Sequence, residues 1–488
     1  MKFTKQLSLN LKRNTLLGAL MISAGVAAAD PQLTSWLTTY SGKYARIYTS
    51  DVNRTNGTAV TTWSTGATTQ SSPVYCSVRE ICYSANWIYL RTSGLGSHTM
   101  GPWYLNAAHT QAFPSYPINS KTFYRIPRAP ATNGTHALTG LGAIGYFVDG
   151  VAMYDSRDAF YWNGTTEANG AGSWNRDAYV NESQTFDPAY AHQPGSGQYH
   201  YHANPIALRY LLGDHVDFNV TTKIYSEATN AVTKHSPIIG WCRDGFPIYG
   251  PYGYSTATNS GSGVRRMISG YTLRDGTSGT DNLATNATSR PAIPAWATRA
   301  GESAGTGPAV SSSYPLGRYL EDKAYLGDLT NSLTGQKYQQ GVDFDLNEWN
   351  TRWCVTPEFP AGTWAYFTSI ASNGTPVFPY NIGRTFFGNA TGNTVTSFGE
   401  TVTTNFVGGG NLTSTLAAPV VSNSIVTLSW SASEGGTYRV EATTNLTSWT
   451  TNASGLAAVL NQGTTTTAAT TKQFFRVART ALATYDTN

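Results

Sequence analysis

His200 and His202 stand two residues apart in Tyr199-His200-Tyr201-His202. In an extended strand alternate side chains share a face, so the two imidazoles project together and Tyr199 and Tyr201 project to the other side. A pair of imidazoles on one strand face can share a transition metal without unusual backbone strain, and neutral nitrogen donors favour copper or zinc over calcium or magnesium. A third ligand has to come from elsewhere in the chain. His98 in Ser97-His98-Thr99-Met100, His192 in Ala191-His192-Gln193-Pro194, His235 in Lys234-His235-Ser236-Pro237 and an acid such as Asp244 are the candidates, and spacing does not choose among them. Tyr199, Tyr201 and Asp244 are expected to support the ligands from behind. In the competing reading the histidines are structural, held in a tyrosine-rich strand by packing and hydrogen bonds.

Other chemistries fit less well. His235 and Ser236 are adjacent, but a nucleophilic serine needs a base held by an orienting acid, and no Gly-x-Ser-x-Gly elbow with a strand-to-helix context stands out. Asp343-Phe344-Asp345-Leu346-Asn347-Glu348 begins like a calcium loop, yet Glu348 stands where such a loop needs glycine. A copper oxygenase that binds metal through an N-terminal histidine is excluded if the chain is cleaved before Asp30.

The elements that must position these residues are β-strands. Short aromatic and β-branched runs alternate with Gly, Asn, Ser and Thr, and long 3.6-residue periodicities are few, which points to a mainly β fold with minor helix. The segment Ile144-Gly145-Tyr146-Phe147-Val148-Asp149-Gly150-Val151-Ala152-Met153-Tyr154 is echoed by Ile239-Gly240-Trp241-Cys242-Arg243-Asp244-Gly245-Phe246-Pro247-Ile248-Tyr249. Each reads as a β-hairpin, with Asp-Gly supplying a type I′ turn. Gly197-Gln198-Tyr199-His200-Tyr201-His202 follows the first, and Gly362-Thr363-Trp364-Ala365-Tyr366-Phe367 follows the second with the same Gly-x-aromatic-x-Tyr spacing. Two related halves are therefore expected, with histidines in only one.

The Tyr199–His202 segment, the hairpin Gly240 to Pro251 with the preceding His235-Ser236-Pro237, the stretch Gly94 to Trp103, and Trp174-Asn175-Arg176-Asp177-Ala178 together resemble the YHYH-domain family of secreted bacterial proteins. The resemblance implies a shared fold over residues 74–390. It carries no settled activity, so no enzymatic reaction is assigned. Shorter relatives repeat a Tyr-His-Tyr-His segment near the end of the domain, where this chain has Trp364-Ala365-Tyr366-Phe367.

The rest of the chain divides by composition. Residues 1–29 have the basic start, apolar run and small-residue end of a signal peptide, so the mature protein is expected to be exported, to the periplasm or the cell exterior. Residues 30–73 form a Thr/Ser-rich leading segment and 391–418 a polar linker containing Gly408-Gly409-Gly410. Residues 419–480 read as a small antiparallel β-sandwich that resembles fibronectin-type-III-like modules through its Tyr-x-Val, Asn-Leu-x-x-Trp and Phe-Phe-Arg-Val patterns, and 481–488 as a tail.

Export makes disulfides the expected state of the four cysteines, with Cys76–Cys82 and Cys242–Cys354 as one of three connectivities. The charged fraction is low, 12%. Removal of Lys2, Lys5, Lys12 and Arg13 with the signal segment leaves 28 basic against 28 acidic groups, which argues against nucleic acid as a partner. No stretch is long and apolar enough for a transmembrane helix. Thirteen Trp and thirty Tyr keep open a different class of function, a non-enzymatic surface, adhesion or glycan-binding protein whose flat aromatic faces meet an extracellular partner.

Overall fold

A computed structural model describes residues 30–132, 134–470 and 473–482; the expected signal peptide and nearly all of the expected tail lie outside them. The fold is mainly β. Its centre is an eight-stranded sheet whose strands are, in chain order, β1 (Gly145–Phe147), β2 (Ala152–Met153), β3 (Ala191–His192), β4 (His200–Tyr201), β5 (Ile238–Cys242), β6 (Pro247–Tyr249), β7 (Thr351–Cys354) and β8 (Thr363–Phe367). They lie side by side in the order β3-β4-β2-β1-β5-β6-β8-β7.

That order is the same read outwards from the middle in either direction. The central pair β1–β5 is antiparallel. On each side follow an antiparallel hairpin, β1–β2 or β5–β6, a parallel neighbour, β4 or β8, and an antiparallel edge strand, β3 or β7. Register matches as well: Tyr201 lies opposite Met153 and Tyr366 opposite Ile248, while His192 faces His200 and Arg352 faces Ala365. The loops leading into the edge strands close alike, with the Asp187 N–H donating to Ala191 O and the Asn347 N–H to Thr351 O, each at 2.9 Å.

The two Asp-Gly turns differ from the expected type I′ form. Only Gly150 (φ +80°) and Gly245 (φ +86°) take positive φ; Asp149 and Asp244 do not. Gly150 N–H donates to Phe147 O and Gly245 N–H to Cys242 O, which describes a type I turn followed by a left-handed glycine. Each aspartate instead uses its carboxylate to accept from the backbone two residues on, Val151 N–H and Phe246 N–H.

The main core includes residues of this sheet (Tyr146, Phe147, Ile239, Trp241, Ile248) and of an antiparallel five-stranded sheet (Val78, Ile81, Ile88, Leu90, Ile126). The entry segment 30–73 packs against these sheets. Trp36, Ile47 and Trp63 are buried in the same core, and Arg46–Ile47 pairs with Thr99–Met100. The expected linker is also partly sheet: Asn393–Thr394 pairs with Thr122–Pro127, and Thr403–Val407 forms an edge of the five-stranded sheet against Val78–Tyr83. Its polar composition suits an edge whose side chains are largely exposed, which is why it reads as linker.

The C-terminal unit has two three-stranded antiparallel sheets sharing a core of Val426, Leu428, Trp430, Tyr438 and Val440. It docks on the leading segment, where Glu434 pairs with Arg46 and accepts from the Tyr44 N–H at 2.8 Å.

The cysteines are not joined. All four are free and buried. Cys76 precedes the strand Val78–Tyr83 and Cys82 lies near its far end, so roughly 15–20 Å of near-extended chain separates them. Cys242 on β5 and Cys354 on β7 are three strand spacings apart, about 14 Å, whereas a disulfide needs Cα atoms within about 7 Å.

Candidate metal centre

The site sits at the β3–β4 edge of the sheet. His200 and His202 share a face of β4 and its continuation, as their spacing predicts. His192 comes from β3, whose antiparallel register sets it directly opposite His200. The intervening chain, Gln193 to Tyr199, contains Pro194 and Gly195 and is closed by Gly197 (φ +81°), whose N–H donates to Pro194 O at 2.9 Å. One coordinating atom from each imidazole lies within 4.8 Å of the others, and all three residues are buried.

The outer nitrogens fix the tautomers. His200 Nδ1 donates to Gln198 O at 2.9 Å and His202 Nδ1 to Asp155 O at 2.6 Å, because a carbonyl can only accept. The Thr185 hydroxyl spends its proton on Glu182 O at 2.7 Å, so the 2.8 Å contact between that hydroxyl and His192 Nδ1 has the imidazole as donor. Every neutral ring therefore presents a bare Nε2 lone pair inwards. His200 Nε2 and His202 Nε2 face each other at 3.0 Å with no proton assigned between them. Burial lowers the pKa of all three, for His192 and His200 well below the ordinary value, so near neutrality they are in the form that binds metal. An ion 2.0–2.1 Å from each nitrogen needs N–N separations of about 3.3 Å. The 3.0 Å separation of His200 and His202 and the 4.8 Å limit on the set bracket that value.

What holds the rings is equally defined. Tyr154 stacks on His200 with centroids 3.8 Å apart and donates its hydroxyl to Gln198 Oε1 at 2.6 Å. The carbonyl that orients His202 belongs to Asp155, whose buried carboxylate is paired with Arg157 at 2.6 Å and accepts from the Thr139 hydroxyl. Beside the triad opens a cavity of about 190 Å³, walled on its apolar side by Phe113, Leu141 and Tyr154. Glu182, at the end of the short helix Ala178–Glu182, reaches in from the same side. Its Oε2 lies 3.4 Å from His202 Nε2 and 3.7 Å from His192 Nε2. Burial, reinforced by the Asp158 charge, raises its pKa well above the usual carboxylate range.

Of the third-ligand candidates, the fold brings only His192 to the pair. His98 meets Tyr199 at 3.0 Å, on the opposite face of β4 from His200, and burial lowers its pKa to about 3. His235 stands beside Tyr249, Tyr254 and Phe367 in the other half of the sheet. Tyr199 and Tyr201 turn away from the imidazoles into the core, where the Tyr199 hydroxyl donates to Asp187 Oδ2 at 2.8 Å. The ring that backs the site is Tyr154. Asp244 closes the second hairpin and accepts from Tyr366 at 2.6 Å, away from the triad.

His192 was available to sequence reasoning. A hairpin centred on residue 196, in Pro194-Gly195-Ser196-Gly197, pairs 192 with 200. Glu182 carries no comparable spacing signal.

The three buried histidines on this strand edge, oriented by two backbone oxygens and a hydroxyl and open to a cavity, form a cluster that could hold a metal ion. The model of the family described as YHYH protein matches residues 123–378, just over half of the chain, and the chain belongs to that family. The match covers the central sheet and the triad but not the Gly94–Trp103 stretch. No curated protein and no solved structure matches the chain.

Proposed function

We propose that this YHYH protein is exported and binds one transition metal ion, copper or zinc, through the Nε2 atoms of His192, His200 and His202. The observation that carries the reading is the convergence of three lone pairs whose protons are all committed on the outer side of the rings. Two such lone pairs at 3.0 Å repel unless a cation lies between them. The 190 Å³ cavity gives the ion an open side, on which water or a small substrate can sit, so hydrolytic or redox chemistry follows if that position is used. Export is supported by the signal-like residues 1–29.

Elemental analysis of the purified protein beside the His200→Ala/His202→Ala variant tests the reading. About one equivalent of copper or zinc is expected in the wild type and none in the variant at matched fold. No stoichiometric metal in the wild type after loading rejects it.

A second reading, an extracellular glycan-binding role, is favoured by one feature. A groove of about 690 Å³ between the C-terminal unit and the main domain is lined by uncharged side chains, among them Thr38, Thr415, Gln462, Phe406 and Trp430. Binding of neutral oligosaccharides by the full chain on a glycan array, lost in Gln462→Ala/Thr415→Ala, tests it.

A further inference from the structure

The Glu182 side chain is partly exposed, yet one of its carboxyl oxygens is not. Its Oε2 is closed to solvent and accepts no hydrogen bond, which ordinarily costs folding free energy. The cations around it are ion-paired to other carboxylates, although the Arg176 Nε is left without a hydrogen-bond partner. Arg176 gives its two amino groups to Asp158 at 2.6 Å and Glu167 at 3.2 Å, and Arg157 is bound to Asp155. Gln193, which also lines the cavity, has its Oε1 buried without a partner because its amide group donates to Ser115 O. The polar atoms left over around the triad are thus acceptors: three imidazole nitrogens, a carboxylate oxygen and an amide oxygen. A cation with its bound water satisfies such a set at once.

Resting on the reading of the triad as a metal site, we propose that Glu182 is the fourth protein ligand and that it selects a divalent ion over cuprous copper. Three neutral imidazoles suit Cu(I) and Zn(II) alike. A hard anionic oxygen added to them favours the divalent ion, because softer monovalent copper gains little from it. The contacts at 3.4 and 3.7 Å are too long for hydrogen bonds from a protonated carboxyl to these rings but place the oxygen on the side of the triad where an ion would sit. Gln193 Oε1 would then accept from a water on that ion.

The test uses the full chain, with zinc and Cu(I) as probes and thermal unfolding as the fold control. Glu182→Gln keeps the volume and can still hydrogen-bond, but it is a poorer ligand. It is expected to weaken zinc binding about 100-fold and Cu(I) binding less than about threefold. In Glu182→Ala the vacated space adjoins the cavity, so added sodium formate is expected to restore zinc affinity. Zinc held as tightly by E182Q as by the wild type, or E182A indifferent to formate, overturns the role of Glu182 and leaves the triad standing. Failure of the wild type to bind either ion instead overturns the reading on which this inference rests.

Discussion

On one side of the central β1–β5 pair, His192 faces His200 across an antiparallel ladder and His202 follows two residues on. On the other side the same register sets Arg352 opposite Ala365, with Phe367 two residues on. The second half fills its position with hydrocarbon and a fixed cation. Phe367 stacks against Tyr249 with centroids 5.6 Å apart, the Arg352 guanidinium lies 5.4 Å from the Phe367 ring, and Arg352 donates to Tyr254 O at 2.7 Å. Tyr249 there stands where Tyr154 stands in the first half. The sheet edge therefore folds without histidine, and three buried imidazoles with converging lone pairs are an expensive way to fill space. The contrast supports the proposal that the histidines bind an ion while their counterparts pack.

The largest effect should come from erasing the contrast. His192→Arg/His200→Ala/His202→Phe, which gives the first half the residues of the second, is expected to lower metal affinity more than 100-fold, as isothermal titration with zinc or copper would read. Retention of one equivalent would mean that the metal lies elsewhere.

Next in size is the anchor beneath His202. Arg157→Ala leaves the Asp155 carboxylate unpaired in a buried setting and should destabilise the fold by about 3–5 kcal/mol in chemical denaturation. If the fold survives, metal affinity should fall roughly 10–100-fold because the carbonyl that orients His202 is loosened. A surface-like effect of under about 1 kcal/mol would show that this pair does not brace the site.

The second half has its own titration. Burial lowers the His235 pKa to about 4 against about 6.5 unfolded. The unfolded chain thus binds the extra proton, and stability present above pH 6.5 is lost as pH falls from about 6.5 towards 4, at up to about 1.4 kcal/mol per pH unit. In His235→Phe that slope should be reduced, with metal binding unchanged. An unaltered acid limb in pH-dependent unfolding would contradict it.

The smallest effect is expected from Tyr154→Phe, which keeps the ring on His200 and removes the hydroxyl bond to Gln198. A loss of about 1 kcal/mol in stability and less than about a threefold change in metal affinity should result.

Much of the site was legible in the chain because strand periodicity is local. His200 and His202 share a face for that reason, and the parallel spacing of the two Gly-x-aromatic-x-Tyr segments anticipated which position would carry histidine once and Ala365 or Phe367 the other time. Choosing His192 over His98 and His235 required long-range strand order, although counting back from the turn at Pro194–Gly197 would have reached it. Glu182 depended on where a five-residue helix ends, which no periodicity encodes. The expected disulfides followed from compartment rather than geometry, and strand separation overrides them. The polar stretch around Thr403–Val407 read as linker because an edge strand needs little apolar surface, and the Asp-Gly turns read as type I′ because dipeptide composition does not show that the aspartate keeps negative φ.

The most direct test of the assignment is anomalous diffraction from crystals of the zinc-loaded protein, recorded on both sides of the zinc edge. A single strong peak about 2.1 Å from the Nε2 atoms of His192, His200 and His202, with none beside Arg352, Ala365 and Phe367, is the predicted result. A peak at His98 or His235 instead, or none at the triad with zinc present in excess, would contradict it.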